Sequence, residues 1–217
     1  MNKLVHVIAV AHRRLPELRV FIQSWINQTS SNWDLTIIHD GESEEFIHLM
    51  NESNYQHPSI RFFCTDKRYN DYGHSLREIG LKQATGTYTL LTNCDNYFMP
   101  KTIEYIETAV NNIQAQISEI PDIILFDMVH AHPILDNNGN EIRDQYGIPK
   151  NYRYFKVEFR KFSIDVSSAI VKTEIAKKAG FKDKTFNGDQ TYFQNISDNC
   201  NGSLSIAKLD NVLLVHN

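Results

Sequence analysis

Along the first half of the chain, short apolar runs alternate with segments in which apolar residues recur every three or four positions. The runs LVHVIAV (4–10), LTIIHD (35–40), IRFFC (60–64) and YTLLT (88–92) read as buried strands. The stretches from about Pro16, Ser43 and His74 read as helices between them, the pattern of βαβ units around a mostly parallel sheet. In the first helix, Leu18, Phe21, Ile22, Trp25 and Ile26 form one apolar stripe that can cover the sheet, and Pro16 suits its first turn. A later helix from Pro100 carries Ile103, Ile106, Val110, Ile113 and Ile117 in the same way and ends before Pro121 and the strand-like DIILFD. These positions are expected in the core.

Residues 130–162 break the rhythm. They hold the turn signal NNGN and the aromatics Tyr146, Tyr152, Tyr154 and Phe155, and they read as a hairpin or mobile loop laid over the sheet. Beyond them come a strand-like DVSSAIV, a short helix from Thr173 stopped at Gly180, and a polar segment with Asp189. Two closing strands, LSIAKL and NVLLVHN, follow. The expected organisation is one α/β domain over residues 1–217, and its end directly after an apolar strand fits a catalytic domain cut from a longer protein.

Composition narrows the class. With 41% hydrophobic and 22% charged residues, the chain is neither disordered nor membrane-spanning. Its opening, MNKLVHVIAV, enters a strand without a secretory pattern, which points to the cytosol. Cys64, Cys94 and Cys200 are odd in number and lack any CxxC pairing, so reduced thiols are expected. A net charge of −4 argues against a nucleic-acid binder, while Lys67, Arg68, Arg77 and Lys82 form a local cluster that can either hold a small anion or make a solvated face.

The segment LTNCDNYFMP (91–100) concentrates the candidate chemistry. It sets Asp95 just past a buried strand, where ligands of open α/β sheets gather. A carboxylate beside two amides offers oxygen ligands to a hard cation and hydrogen bonds to a ribose or phosphate. Asn93, Asp95 and Asn96 equally suit a polar turn that caps the following helix.

Several separated segments resemble the family 2-type glycosyltransferases of the GT-A fold. Asn27-Gln28-Thr29, Asn32-Trp33-Asp34-Leu35 and His39-Asp40-Gly41 are similar to the family's first helix end, second strand entry and Asp-Asp-Gly turn. Arg77, Ala84, Gly86, Tyr88, Asp95 and Pro100 resemble the helix arginine, the Ala-x-Gly-x-Tyr turn and the Asp-x-Asp strand end. Asn93 stands where the first aspartate usually is, Glu78 where Asn is usual, and His39 where the first Asp of the turn belongs. The likeness is strong over the first 100 residues and looser beyond.

The resemblance implies a Rossmann-like, mostly parallel sheet flanked by helices with a small antiparallel C-terminal portion. It divides the chain into a nucleotide-binding half, 1–100, and an acceptor-binding half, 101–217. It implies transfer of a sugar from a nucleotide-diphosphate donor, a UDP-sugar first, to a glycan or lipid-linked hydroxyl, with bacterial surface polysaccharide as the product and a peripheral contact at the inner face of the membrane. Asp95 and His216 would hold Mn2+ or Mg2+, aided by Arg77. Ala9, Ala11 and His12 would wall the base and ribose, Asp40 would accept from the base, and Asn93 and Cys94 would complete the donor site. Asp189 would be the general base of a single inverting displacement. Aromatic rings of the 130–162 loop would stack on an acceptor sugar or else close the core. The rival is a nucleotide-sugar-binding module without turnover, motivated by Asn93; a nucleotidyltransferase or dehydrogenase would need a glycine-rich loop that AVAHRRLPE lacks.

Overall fold

The computed structural model describes residues 2–217 except Tyr146, Ile148, Pro149 and Gly202. Tyr146, one of the aromatic candidates, therefore lies outside the described residues. The strands are β1 Val5–Ala11, β2 Trp33–His39, β3 Ile60–Cys64, β4 Tyr88–Asn93, β5 Tyr97–Phe98, β6 Ile123–His130, β7 Arg153–Phe155, β8 Ala169–Lys172 and β9 Ile206–His216. The helices are α1 Leu15–Ile26, α2 Glu44–Met50, α3 His74–Gln83, α4 Thr102–Ile117, α5 Thr173–Ala179 and α6 Gly188–Asn199.

All the described strands join one mixed sheet in the order β3-β2-β1-β4-β8-β6-β9-β5, with β7 beside the far end of β6. β1 pairs in parallel with both β2 and β4, and β2 with β3, so four strands end on the same edge. β8 runs antiparallel between β4 and β6, and β9 runs parallel to β6. Burial on both faces explains the unbroken apolar runs: every residue of β1 is buried. The sheet is covered by the expected stripe of α1, in which Leu18, Phe21, Ile22 and Trp25 are buried.

Three sequence expectations change. α4 outruns the sheet, so Ile103, Ile106 and Val110 are buried while Ile117 is 61% exposed. The two closing strands are one, β9, because Asp210-Asn211 forms no turn; the pairing with β6 slips around Asp127 and resumes as Met128↔Leu214 and His130↔His216. The polar segment around Asp189 is α6, a helix whose inner face is only Tyr192, Phe193 and Ile196.

Within the 130–162 excursion, Leu135 bridges Glu141 and β7 returns antiparallel to β6. Asp127, at the β6 bulge, grips the returning chain: its carboxylate accepts from Tyr154 Oη at 2.6 Å and Val157 N at 2.8 Å and pairs with Lys208 of β9. Burial would raise its pKa, but the bonds from Lys208, Tyr154 and Val157 outweigh burial and hold it low.

Candidate active site

The ends of β1 and β4 open into a cleft of about 440 Å³, lined among others by Ala11, His12, Arg13, Arg14, Asp40, Asn93, Cys94 and Asp95. A second hollow of about 430 Å³ shares His12, Arg13 and Asp40 and adds Lys67 and Arg68. Most of the donor-site candidates thus meet in one groove where parallel strands terminate.

Asp95 has two unlike oxygens. Oδ2 accepts from Arg14 at 2.8 Å, whereas Oδ1 is sealed from solvent and has no hydrogen-bond partner. A buried carboxylate oxygen without a donor fits a cation ligand. Arg13 and Arg14, with φ of 55° and 49°, take consecutive left-handed conformations that the sequence pattern does not signal. They turn the chain out of β1 into α1 and give the groove two guanidinium groups.

Two donor-site expectations are corrected by burial. Ala9 is fully buried in the sheet, paired with Ile37 on one side and Thr92 on the other, and it does not line the cleft; Val10, Ala11 and His12 do. Arg77 is only 2% exposed, and its two Nη atoms are engaged internally, donating to Tyr72 O at 2.8 Å, His74 Nδ1 at 3.2 Å and Asn93 Oδ1 at 2.5 Å, while Nε is buried without a partner. Arg77 is thus absent from the groove lining and bears on it through Asn93 and the Tyr72 backbone, which it holds. The sequence cluster of cations splits accordingly: Lys67 and Arg68 line the groove, Arg77 is buried, and Lys82 pairs with Glu78 outside.

Asp40 is placed at the β2 end as expected, but both oxygens already accept backbone groups, Tyr69 N at 2.7 Å and Asn70 N at 3.0 Å. It holds the loop that brings Asn70, Tyr72 and Gly73 to the cleft, and each oxygen keeps a second lone pair. Gly73 is required there, since its φ is +80° and an added Cβ would lie 2.7 Å from Val10 Cγ2. Both ring nitrogens of His12 are sealed and unpartnered, and its pKa is lowered by burial, then by Arg68, His39 and Arg13. The Cys94 thiol is buried and pushed well up, so it is an inert wall.

Asp189 stands in the first turn of α6, with Asn187 at the N-cap position. Its side chain is 39% exposed, yet Oδ1 is sealed and has no hydrogen-bond partner. The His74 Nδ1 atom is 3.9 Å away. Burial raises the carboxyl pKa, against the pull of Arg77 and His74 and with help from Asp165. His74 itself is neutral in character: Nε2–H donates to Thr185 O at 3.0 Å, Nδ1 accepts from Arg77, and burial followed by Arg77 lowers its pKa. Gly188 lets α6 approach, because a Cβ there would meet His74 Nε2 at 2.6 Å.

His216 ends β9. Its Nδ1 is sealed and unpartnered, and Nε2 lies 3.8 Å from Asp165 Oδ2. Its ring neighbours are His130, with centroids at 5.0 Å, and His132, at 6.2 Å. Among the aromatic-loop candidates, Phe155 packs on the core, Tyr154 bonds Asp127, and Tyr152 is exposed. Tyr72 and Phe186, outside that loop, form an exposed aromatic pair with ring centroids 5.9 Å apart.

The curled mixed sheet, with helices on its faces and a cleft at the strand ends, is the GT-A fold. The model of Glycosyl transferase family 2 matches residues 6–166, and the chain belongs to that family. An uncharacterized glycosyltransferase of Rickettsia bellii (strain RML369-C) is 28% identical over 106 residues, 46% of this chain and 14% of that protein. The crystal structure of S. aureus TarS 1-349 matches with a TM-score of 0.71 at 14% identity, over 100% of this chain and 60% of that one. Its complex with UDP-GlcNAc gives 0.72 at 15% identity, over 99% and 58%. The mannosyltransferase PcManGT from Pyrobaculum calidifontis, in complex with GDP-Man and Mn2+, gives 0.64 at 13% identity, over 99% and 57%. This chain thus spans less than two thirds of each of these chains. Among the described residues no helix is long and apolar enough to cross a membrane.

Proposed function

We propose that the groove binds a nucleotide-diphosphate sugar and that the protein transfers the sugar to an acceptor hydroxyl. The observation that carries this reading is the cleft at the β1 and β4 ends, where Arg13 and Arg14 stand beside a carboxylate with one sealed, unpartnered oxygen. The arginines offset the charge of a diphosphate, and Asp95 is the residue that would hold Mn2+ or Mg2+; His216, the second ligand the resemblance implied, lines neither hollow of the groove. When bound, the cation would act as a Lewis acid toward the leaving diphosphate. With an amide rather than a carboxylate at position 93, the donor diphosphate would have to supply more of the negative charge facing the cation. UDP and GDP sugars are the donors this reading favours, since relatives of the same fold are described with UDP-GlcNAc and GDP-Man.

Asp189 is the base of a single inverting step. The acceptor oxygen bonds to the anomeric carbon as the bond from that carbon to the diphosphate breaks; the hydroxyl proton passes to Asp189 and the electron pair leaves on the diphosphate. Burial keeps its carboxyl basic enough for that task. Tyr72 and Phe186 offer rings for an acceptor sugar. A glycan or lipid-linked acceptor of bacterial surface polysaccharide, met in the cytoplasm at the membrane face, is supported by the family resemblance alone.

A non-catalytic donor-binding module is the second reading, favoured by Asn93 and by Arg14 occupying Asp95. Calorimetric titration of UDP, GDP, CDP and their sugars, with and without Mn2+, on wild type and Asp95→Ala tests the donor site. Binding of one nucleotide that depends on Mn2+ and on Asp95 is expected; absence of any nucleotide binding overturns the reading. Release of free sugar or transfer by the wild type, lost in Asp189→Asn, eliminates the non-catalytic alternative.

A further inference from the structure

We propose that His130, His132 and His216 form a second cation site, selective for Zn2+ and similar transition metals, separate from the donor groove. It goes beyond the transferase reading and does not rest on it. The topology creates the cluster. His130 and His216 are in register at the ends of the parallel pair β6 and β9, so their side chains share a face of the sheet. His132, two residues on along the departing chain, returns to the same side. One nitrogen from each ring lies within 4.8 Å of the others.

Tetrahedral zinc with bonds near 2.0–2.1 Å places its ligand nitrogens about 3.3 Å apart. The remaining approach is small, and exposed His132 is free to supply it by side-chain rotation. His216 is the prepared member. Its Nδ1 is sealed without a partner, and the opposite nitrogen faces Asp165 Oδ2 at 3.8 Å. Asp165 is itself held, since its Oδ1 accepts from Ser167 N at 2.7 Å. At 3.8 Å the two are not hydrogen-bonded, and a small closure on metal binding would bring the carboxylate behind the distal nitrogen, where it fixes the tautomer and raises the basicity of a metal-bound histidine.

The donor set decides which metal. Three neutral imidazoles suit Zn2+, Ni2+ or Co2+, whereas Mn2+ and Mg2+ prefer the oxygens of a carboxylate and a diphosphate. Three protein ligands leave a fourth position open to water or to an anionic group of a substrate. In this arrangement His216 belongs with His130 and His132, and the donor cation relies on Asp95 and the nucleotide.

The test is titration of the tag-free, nucleotide-free protein with Zn2+ by calorimetry and with Co2+ by visible absorption. One equivalent is expected, with the intense visible bands of four-coordinate Co2+. His132→Ala and His130→Gln should each weaken binding by about tenfold or more, and Asp165→Asn by roughly tenfold. Asp95→Ala and His48→Ala should bind as wild type. Circular dichroism establishes that each variant is folded, and His132 is exposed enough to be removed without disturbing the core. No stoichiometric Zn2+ binding, wild-type affinity in His132→Ala, or loss of binding in Asp95→Ala overturns the proposal. Because UDP and Mn2+ are absent, failure of the donor-site reading leaves this result unaffected.

Discussion

Arg14 Nη1 and Asp95 Oδ2 stand 2.8 Å apart, so a guanidinium from the β1 end already occupies the carboxylate at the β4 end. Arg14 holds Oδ2 while the cation would take Oδ1, so the two positive charges compete for one carboxylate. The pair is partly solvated, with Arg14 58% exposed, which limits its strength to about 1 kcal/mol or less.

Arg14→Ala should therefore strengthen Mn2+ binding to the nucleotide-free protein by up to about fivefold, the equivalent of that ion pair. It should weaken UDP binding in the absence of metal. Calorimetry with each ligand alone separates the two effects; equal changes in both would contradict the competition.

Asp189→Asn should lower kcat by about 10²-fold or more while leaving donor affinity unchanged, as loss of a general base does. Burial raises the Asp189 pKa above that of a free aspartate, so the active, deprotonated form accumulates at higher pH than it would for an exposed aspartate. The acid limb of kcat/KM should lie there and vanish in the variant. A pH profile over the weakly acidic range checks it.

Gly188→Ala should displace the start of α6. The added Cβ would lie 2.6 Å from His74 Nε2 and 2.7 Å from the Asp183 carbonyl, and the latter is backbone that cannot rotate away. A destabilisation of about 1–3 kcal/mol is expected, with a fall in kcat larger than any change in donor KM. Urea denaturation and steady-state kinetics measure both.

His6 should make the fold acid-sensitive. Its Nδ1 accepts from Thr85 N at 3.0 Å and its Nε2 bonds Thr36 Oγ1 at 2.8 Å, so the buried ring is neutral. Burial, then Arg61, pushes its pKa down to about 4. A folded value below the unfolded one means the stability is whole above about pH 6.5 and is lost as pH falls toward 4. Roughly 2–3 kcal/mol should disappear over that window. His6→Gln should flatten this part of the curve in urea titrations at successive pH values.

The strands and helices up to β4 were legible because both-face burial makes β1, β2 and β4 continuous apolar runs and because Pro16 and Pro100 punctuate the helices; the two-residue β5 was too short to read. α6 was obscure: a helix that buries little beyond Tyr192, Phe193 and Ile196 leaves no stripe to read. β9 was split in reading because Asp210-Asn211 has turn chemistry, which here serves a slip of register. Asp40, Asn93 and Asp95 were visible as strand-end acids and amides, and Asp189 through the family resemblance. Arg13 and Arg14 were not, since two successive left-handed non-glycine residues have no sequence signature. The histidine cluster escaped for a different reason. His130-x-His132 is a weak signal alone, and its third member is brought in only by β6 and β9 pairing at the far end of the chain.

Asp127 fastens Tyr154, Val157 and Lys208 at once, and so ties the return of the 130–152 excursion to the strand from which it departs. Beyond His132, which packs on His216 of β9, a loop closed at its base by one side chain is decoupled from the sheet. Its length and composition can drift at small cost, because each doubling of a flexible loop adds only about 0.6 kcal/mol of closure entropy. Divergence among sequences sharing this architecture should concentrate in that excursion, while the carboxylate at its root and the lysine across from it stay fixed.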